Sequence, residues 1–335
     1  LKVHRSDLVV ATQGRSFWVL DDLTPLRRLT DAVAAAEAHL FAPRDPHQFN
    51  VRAFRGDRAP TPPPDGAVLH YAFAETPDTT VVLEIRDDED ALVRRYTTTP
   101  TTEAEGDLPV DAGLNRFVWD LTYPGPDVVD DAVMSLSTTG DFPAPPGRYR
   151  ARLEVGDWSA EQSFEVQMDP RVDDVTEEDL RARFTLARKT RDRLTEVHDA
   201  IRTLRAVRTQ AVDAVDRAAD AGVAPAAADT IRARAGRLRR ASTELETTLM
   251  QTKNESPQDP INFPPQLDNQ WAYLYTHIIG AYARPTEGTY ERFDDLAART
   301  EPLLARVEAL LKEDVAALNA ALRSADVPAV QPPRE

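Results

Sequence analysis

The chain has 335 residues, too many for one ordinary core and enough for two or three domains. A formal net charge of −16 argues against nucleic acid or an anionic membrane surface as a partner. There is no cysteine, which excludes disulfides and thiolate zinc sites, and no run approaches the ~18 consecutive apolar residues of a membrane span.

Apolar residues make up 41% of the chain, enough to fill a core. The basic residues are nearly all arginine; only Lys2, Lys189, Lys253 and Lys312 are lysines. Many acids with few lysines suit a protein kept soluble in high salt. A GC-rich genome would produce the same bias, and both readings stay open.

The first residues, LKVHRSDLVV, contain neither an initiator Met nor a signal peptide. We read the chain as a fragment, the back part of a longer protein. Leu8 to Ala11 and Phe17 to Leu20 are apolar runs flanking a polar turn with Gly14, the pattern of a β-hairpin. One hairpin is marginal in water, so it is expected to join a sheet encoded elsewhere, or to pack on the domain that follows. Thr24 is a candidate cap for a short helix with Pro25 at its first position. Residues 32–40 are alanine-rich and predict helix, and residues 43–65 form a Pro-rich connector.

From residue 66 to 168 the pattern is β. Val81, Leu83 and Ile85 alternate, as do Phe117, Trp119 and Leu121. Tyr149, Ala151, Leu153 and Val155 do the same, then Phe164, Val166 and Met168. Period two means one face buried and one wet. About seven strands at this spacing of turns predict an immunoglobulin-like β-sandwich.

The remainder predicts helix. Over residues 176–221, Leu180, Phe184, Ala187, Leu194, Val197, Ile201, Leu204, Ala211 and Val215 recur at helical spacing. Thr176 is the expected N-cap, with Asp179 three residues on in a weak capping box, and Gly222 the expected stop. A second helix is predicted over residues 225–251 with Ile231, Ala235, Leu238, Leu245 and Leu249 on its stripe; the short connection makes the two antiparallel neighbours. Prolines interrupt residues 254–266. A third helix is predicted over residues 267–283, with Leu267, Trp271, Leu274, Ile278 and Ala281 inward. A fourth spans residues 286–323 and is expected to be kinked or split by Pro302. The tail from residue 328 is expected to fray.

No catalytic motif stands out. The histidines, His4, His39, His47, His70, His198 and His277, are scattered without HExxH or other metal spacing, and GxSxG, the P-loop and GxGxxG are absent. His198, beside the helix stripe, reads as an ordinary packed or solvated histidine. The acidic clusters at 87–90 and 173–179 read as a hairpin turn and a helix start, without the EF-hand spacing for calcium. No catalytic residue, metal ligand or cofactor is therefore assigned. Trp271 and Tyr275 share a helix face, which favours core over a stacking platform for sugar. The loop at 254–266 is the best candidate for a specific contact, against the alternative of a rigid cross-over. The candidate interaction surface is thus Asn254, Asp259, Asn262, Trp271 and Tyr275.

As an order of segments, DLVVATQGRSFWVLDDLTPLRRL, HLFAPRDPHQF, PPPDGAVLHYAF, GLNRFVWDLTYPGP, PAPPGRYRARLEV, DPRVDDVTEEDLRARFTLARKTRDRL and TKNESPQDPINFPPQLDNQWAYL resemble the C-terminal region of bacterial BNR-repeat, sortilin-like (VPS10-like) β-propeller proteins, often labelled glycosyl hydrolases. The resemblance implies a multidomain β + α chain. Residues 1–22 would be the last-blade hairpin of a propeller and 23–65 a connector. An immunoglobulin-like sandwich would follow over 66–168, an antiparallel helical bundle over 169–327 and a frayed tail over 328–335. It implies a secreted or periplasmic location, with the upstream propeller of the same polypeptide as partner. No Asp-box (SxDxGxTW) occurs here, so no catalytic position carries over. Three functions are expected, in order: a non-catalytic accessory region bracing the propeller or mediating assembly or attachment; part of a glycoside hydrolase cleft; and a binding module for carbohydrate or a protein partner.

Overall fold

A computed structural model describes residues 1–4, 6–49, 64–99, 108–256 and 258–333. The chain combines antiparallel sheets with helices and divides into two compact units. The first holds Leu1–Pro124 and Phe142–Arg181, the second Gly125–Asp141 and Ala182–Glu335. The N-terminal strands share the first unit with residues 66–124, and residues 125–141 share the second with the helices. Most of the Pro-rich connector, residues 50–63, lies outside the described residues.

In the first unit, β1 (Lys2–His4), β2 (Asp7–Ala11) and β3 (Phe17–Leu20) form an antiparallel sheet in that order, one strand more than the hairpin the sequence predicts. Helix α1 (Thr24–Arg28) carries Pro25 in its first turn, but Thr24 does not cap it; the Thr24 N–H donates to Asp22 Oδ1 at 3.0 Å. The alanine-rich stretch is helical only over α2 (Asp31–Ala34) and then becomes β4 (Ala38–Leu40). Pairing of Leu40 with Tyr71 across a sheet outweighs alanine's helix preference there.

Strand β5 (Ala67–Phe73) joins β4 to β8 (Gly113–Trp119) in a three-stranded sheet. A four-stranded sheet runs β12 (Trp158–Val166), β11 (Gly147–Val155), β6 (Val81–Asp87), β7 (Leu92–Thr97). Short strands β9 (Thr122–Tyr123) and β10 (Phe142–Pro143) pair with each other. Trp119 of the smaller sheet meets Tyr149 and Phe164 of the larger, with ring centroids 5.1 and 6.0 Å apart. Tyr149, Ala151 and Leu153 are buried, as the alternation predicts. In β6 both faces are covered: Val82 and Glu84 are buried between Val81, Leu83 and Ile85, and Arg86 and Arg95 hold the Glu84 carboxylate at 2.7 and 3.2 Å. The acidic turn after β6 is closed by Asp87 Oδ1, which accepts from the N–H groups of Glu89 and Ala91.

In the second unit α3 (Glu177–Asp220, its first turn counted with the first unit) opens on a capping box. Thr176 Oγ1 accepts from the Asp179 N–H at 3.2 Å, and Asp179 Oδ2 accepts from the Thr176 N–H at 2.9 Å. Gly222, at φ +63°, ends it: its N–H reaches Ala219 O and the Val223 N–H reaches Ala218 O, a Schellman closure. Phe184 and Val215 are half-buried; Leu186, Val207, Ala214 and Ala218 complete the inward stripe. Helix α4 (Pro225–Leu249) buries all five residues predicted. Arg205 and Arg208 of α3 pair with Glu246 and Thr243 of α4 in descending order, so the two helices run antiparallel side by side.

Helix α5 (Leu267–Gly280) stops three residues early, and Ala281 is an exposed C-cap rather than part of the stripe. Pro302 does not split α6 (Glu287–Leu310). The pattern changes instead at a π turn, Leu311–Val315, followed by α7 (Ala316–Ser324). Buried Leu310 and Val315 are five residues apart, a spacing that only a wider turn brings to one face.

The tail is not free. Asn319 and Gln210 each clasp its backbone reciprocally: Asn319 bonds the N–H and C=O of Val330, both at 2.8 Å, and Gln210 those of Gln331 at 2.8 and 2.7 Å. Val330 is buried. Residues 334 and 335 lie outside the described residues.

The Gly125–Asp141 loop, between β9 and β10, lies along the helices as a strap. Its backbone donors are met by helix side chains: Asp127 N–H by Thr195 Oγ1, Val129 N–H by His198 Nδ1, Ser135 N–H by Asn269 Oδ1 and Thr138 N–H by Thr276 Oγ1, at 2.8–3.3 Å. Tyr275 OH donates to Gly140 O at 2.7 Å. The strap's two ends meet at Gly125, where a Cβ would stand 2.3 Å from Thr139 O and 2.6 Å from Gly140 O. Gly125→Ala is expected to destabilise the second unit by about 2 kcal/mol or more through backbone displacement. Gly140→Ala, whose Cβ meets only a threonine hydroxyl at 3.3 Å, should cost less. Urea unfolding of both variants measures the difference.

Candidate functional site

Three features rise above ordinary packing, and each lies within one unit. In the first unit, β3 is an outer strand whose four residues are all exposed: Phe17 76%, Trp18 61%, Val19 59% and Leu20 49%. A strand with one face on a core hides every second residue; here neither face is covered, and an open apolar edge invites further pairing.

Also in the first unit, a cavity of about 580 Å³ opens at the turn after β5. Trp158, half-buried, and Phe73 lie in its wall with the carboxylates of Glu37, Glu75 and Asp78.

The third feature is a groove of about 830 Å³ between α3, α4 and the strap. Its floor is Glu246, 4% exposed. Arg205 Nε donates to Glu246 Oε1 at 2.6 Å, and Arg208 Nη1 donates to Oε2. Arg205 Nη1 also reaches Asp131 Oδ1 of the strap at 2.6 Å. The Arg205 guanidinium beside Asp131 holds that carboxyl below the usual carboxylate range. Thr209, Thr243, Thr247, Thr252, Gln251 and Asn254 complete the polar lining.

Of the five residues singled out from sequence, only Asn254 lines this groove. Its Nδ2 donates to Val133 O at 3.1 Å, and its Oδ1 is buried without a partner. Asp259 is spent locally, accepting from the N–H groups of Glu255 and Ser256 at 2.6 and 2.8 Å. Asn262 is exposed just after a one-turn 3-10 helix, Asp259–Ile261. Trp271 is fully buried, donates to Thr300 Oγ1 at 2.9 Å and packs edge-on against Phe293. Tyr275, equally buried, pins the strap. These five therefore do not form one surface. Arg205, Arg208 and Glu246 were missed. The available signal was an acid at the spacing of the α4 stripe: Glu246 follows Leu238 and Ser242 in steps of four.

Buried His198 and Asp268 also carry perturbed protonation. His198 is fully buried; burial first, and then Arg202, push its pKa down to about 4. Its Nδ1 accepts the Val129 N–H, so the neutral ring carries its proton on Nε2. Asp268, in the first turn of α5, is pushed up to about 7 by burial, against the backbone N–H groups of Asn269 and Asp268 itself. Among the described residues no group of three or more His, Asp or Glu is placed to hold a metal. No helix is long and apolar enough to cross a membrane, again among the described residues. No known protein family matches the chain, and no curated protein does.

The two perturbed groups act in opposite directions on stability. Neutral His198 contributes stability that is present above pH 6.5 and is lost as pH falls towards 4. Asp268, raised from 3.8, costs stability as pH rises from about 4 to about 7. In Asp268→Asn only the second effect disappears. Its stability relative to the parent is expected to grow across that range, by up to about 4 kcal/mol at pH 8. Chemical denaturation at a series of pH values measures this; a pH-independent difference would contradict the assignment.

Proposed function

We propose that this chain is a non-catalytic accessory region of a BNR-repeat, sortilin-like β-propeller protein that is secreted or periplasmic. It braces the propeller or mediates its assembly or attachment. In this reading β1–β3 belong to the last blade, the two larger sheets make an immunoglobulin-like sandwich, and α3–α7 make an antiparallel bundle. The observation that carries the reading is β3, an outer strand with Phe17, Trp18, Val19 and Leu20 all open. Strands of a propeller blade gain their burial from neighbouring strands and blades, which β3 lacks among the described residues. The meeting of Trp119 with Tyr149 and Phe164 supports the sandwich.

Intact-mass analysis of the native gene product tests the reading. Even four blades of about 40 residues add roughly 160 residues, so a mass far above 37.2 kDa is expected. A native product of 37.2 kDa would sink it. Within the longer product, Trp18→Lys is expected to lower the melting temperature, because a buried position would receive a charge. In the isolated chain the same change should leave it nearly unaltered.

A second reading, a carbohydrate-binding module or one wall of a glycoside hydrolase cleft, has one observation in its favour. Trp158 lies with Glu37, Glu75 and Asp78 in a single cavity, and sugar recognition combines an aromatic face with hydroxyl-accepting carboxylates. A soluble-polysaccharide panel, screened for binding and for release of reducing ends, separates the two. Under the accessory reading neither is seen. Binding abolished by Trp158→Ala would favour a carbohydrate module, and turnover by this chain alone would favour the hydrolase.

A further inference from the structure

The groove in the second unit has an unusual balance of hydrogen-bonding groups. Both Glu246 oxygens are occupied, one by each arginine. Gln251 is also committed, donating to Pro264 O and accepting from the Lys253 N–H. The hydroxyls of Thr243 and Thr247 donate back to their own helix. A guanidinium carries five N–H donors. Arg205 uses Nε and Nη1, and Arg208 uses Nη1 alone. Among the described residues, Arg205 Nη2 and the Nε and Nη2 of Arg208 therefore have no protein acceptor. The Nε and Nη2 of one guanidinium point the same way and match the two oxygens of a carboxylate or phosphate.

Asp131 is the exposed partner in the network, with a side chain 64% accessible, whereas Glu246 is at 5%. Glu246 is thus a fixed part of the floor, and Asp131 is a carboxylate laid on the arginine from the rim. The cavity, about 830 Å³, is of the size that takes a small molecule.

We propose that this groove binds an oxyanion, the carboxylate or phosphate of a small polar molecule, on the open edge of Arg208, and that Asp131 occupies part of the anion's place on Arg205 while the groove is empty. The site is independent of the propeller reading, because every residue in it comes from the second unit.

The test titrates the full chain with inorganic phosphate and, separately, with citrate, following backbone amide NMR shifts at Thr243, Thr247 and Asn254. Ionic strength is held constant with sodium chloride. Saturable shifts at these residues are expected with at least one probe, and the stronger probe identifies phosphate or carboxylate as the group preferred. Asp131→Asn removes an exposed competitor without emptying a buried position, and is expected to tighten binding about threefold or more. Arg208→Gln should abolish it. If that variant fails to fold because Glu246 loses a partner, Asp131→Asn still decides. Absence of saturable shifts with both probes overturns the proposal, as does equal response to chloride. Unchanged or weaker binding by Asp131→Asn overturns the assigned role of Asp131.

Discussion

The second unit depends on one requirement: a segment without a strand ladder needs side-chain acceptors for its backbone N–H groups. Among the described residues no strand lies beside the strap between β9 and β10, and its donors at Asp127, Val129, Ser135 and Thr138 are answered by Thr195, His198, Asn269 and Thr276. The Val129 donor is buried, and leaving it unanswered would cost roughly 1–3 kcal/mol. Side chains that would be solvated on a free helix are thereby drawn inward, and the helix surface under the strap is partly polar. His198 shows the consequence. It must stay neutral to accept at Nδ1, its burial enforces that, and its Nε2 is left without a partner.

A second device recurs in both units. A buried carboxylate is held by one or two arginines: Glu84 by Arg86 and Arg95, Asp169 by Arg171, Glu246 by Arg205 and Arg208. Arg171 grips Asp169 with two parallel bonds, Nε to Oδ1 at 2.8 Å and Nη2 to Oδ2 at 2.6 Å. A lysine offers a point charge and cannot reproduce that fork. At these positions the scarcity of lysine has a geometric reason, whatever sets the composition of the surface. Removing one partner from such a pair leaves a buried charge uncompensated; the groove between α3 and α4 has a buried carboxylate, Glu246, and an exposed one, Asp131.

The open features differ in kind. The β3 edge is apolar and extended, suited to more chain. The Trp158 cavity is aromatic and acidic, and the α3–α4 groove is rich in unspent donors. Each asks for a different complement, so an accessory role for the β region and a small-ligand site in the helical region are compatible in one polypeptide.

Periodicity alone determined most of the element types. Leu180, Leu194, Val197, Ile201 and Leu204 marked α3, and Ile231 through Leu249 marked α4. Tyr149, Ala151 and Leu153 marked a half-buried strand, and Thr176, Asp179 and Gly222 marked the helix ends. These are local properties, because the spacing of apolar groups and the caps act within a few residues. What only the tertiary structure decided involves partners far apart in the chain. The strap went to the helices because its donors found Thr195 and Asn269. Val330 was pinned by Asn319, and Ala38–Leu40 became a strand beside Tyr71. Glu246 became a buried anchor because Arg205 and Arg208 came round to meet it. A charged residue's burial depends on which counter-charge the fold delivers, and that information is not in its own stretch of sequence.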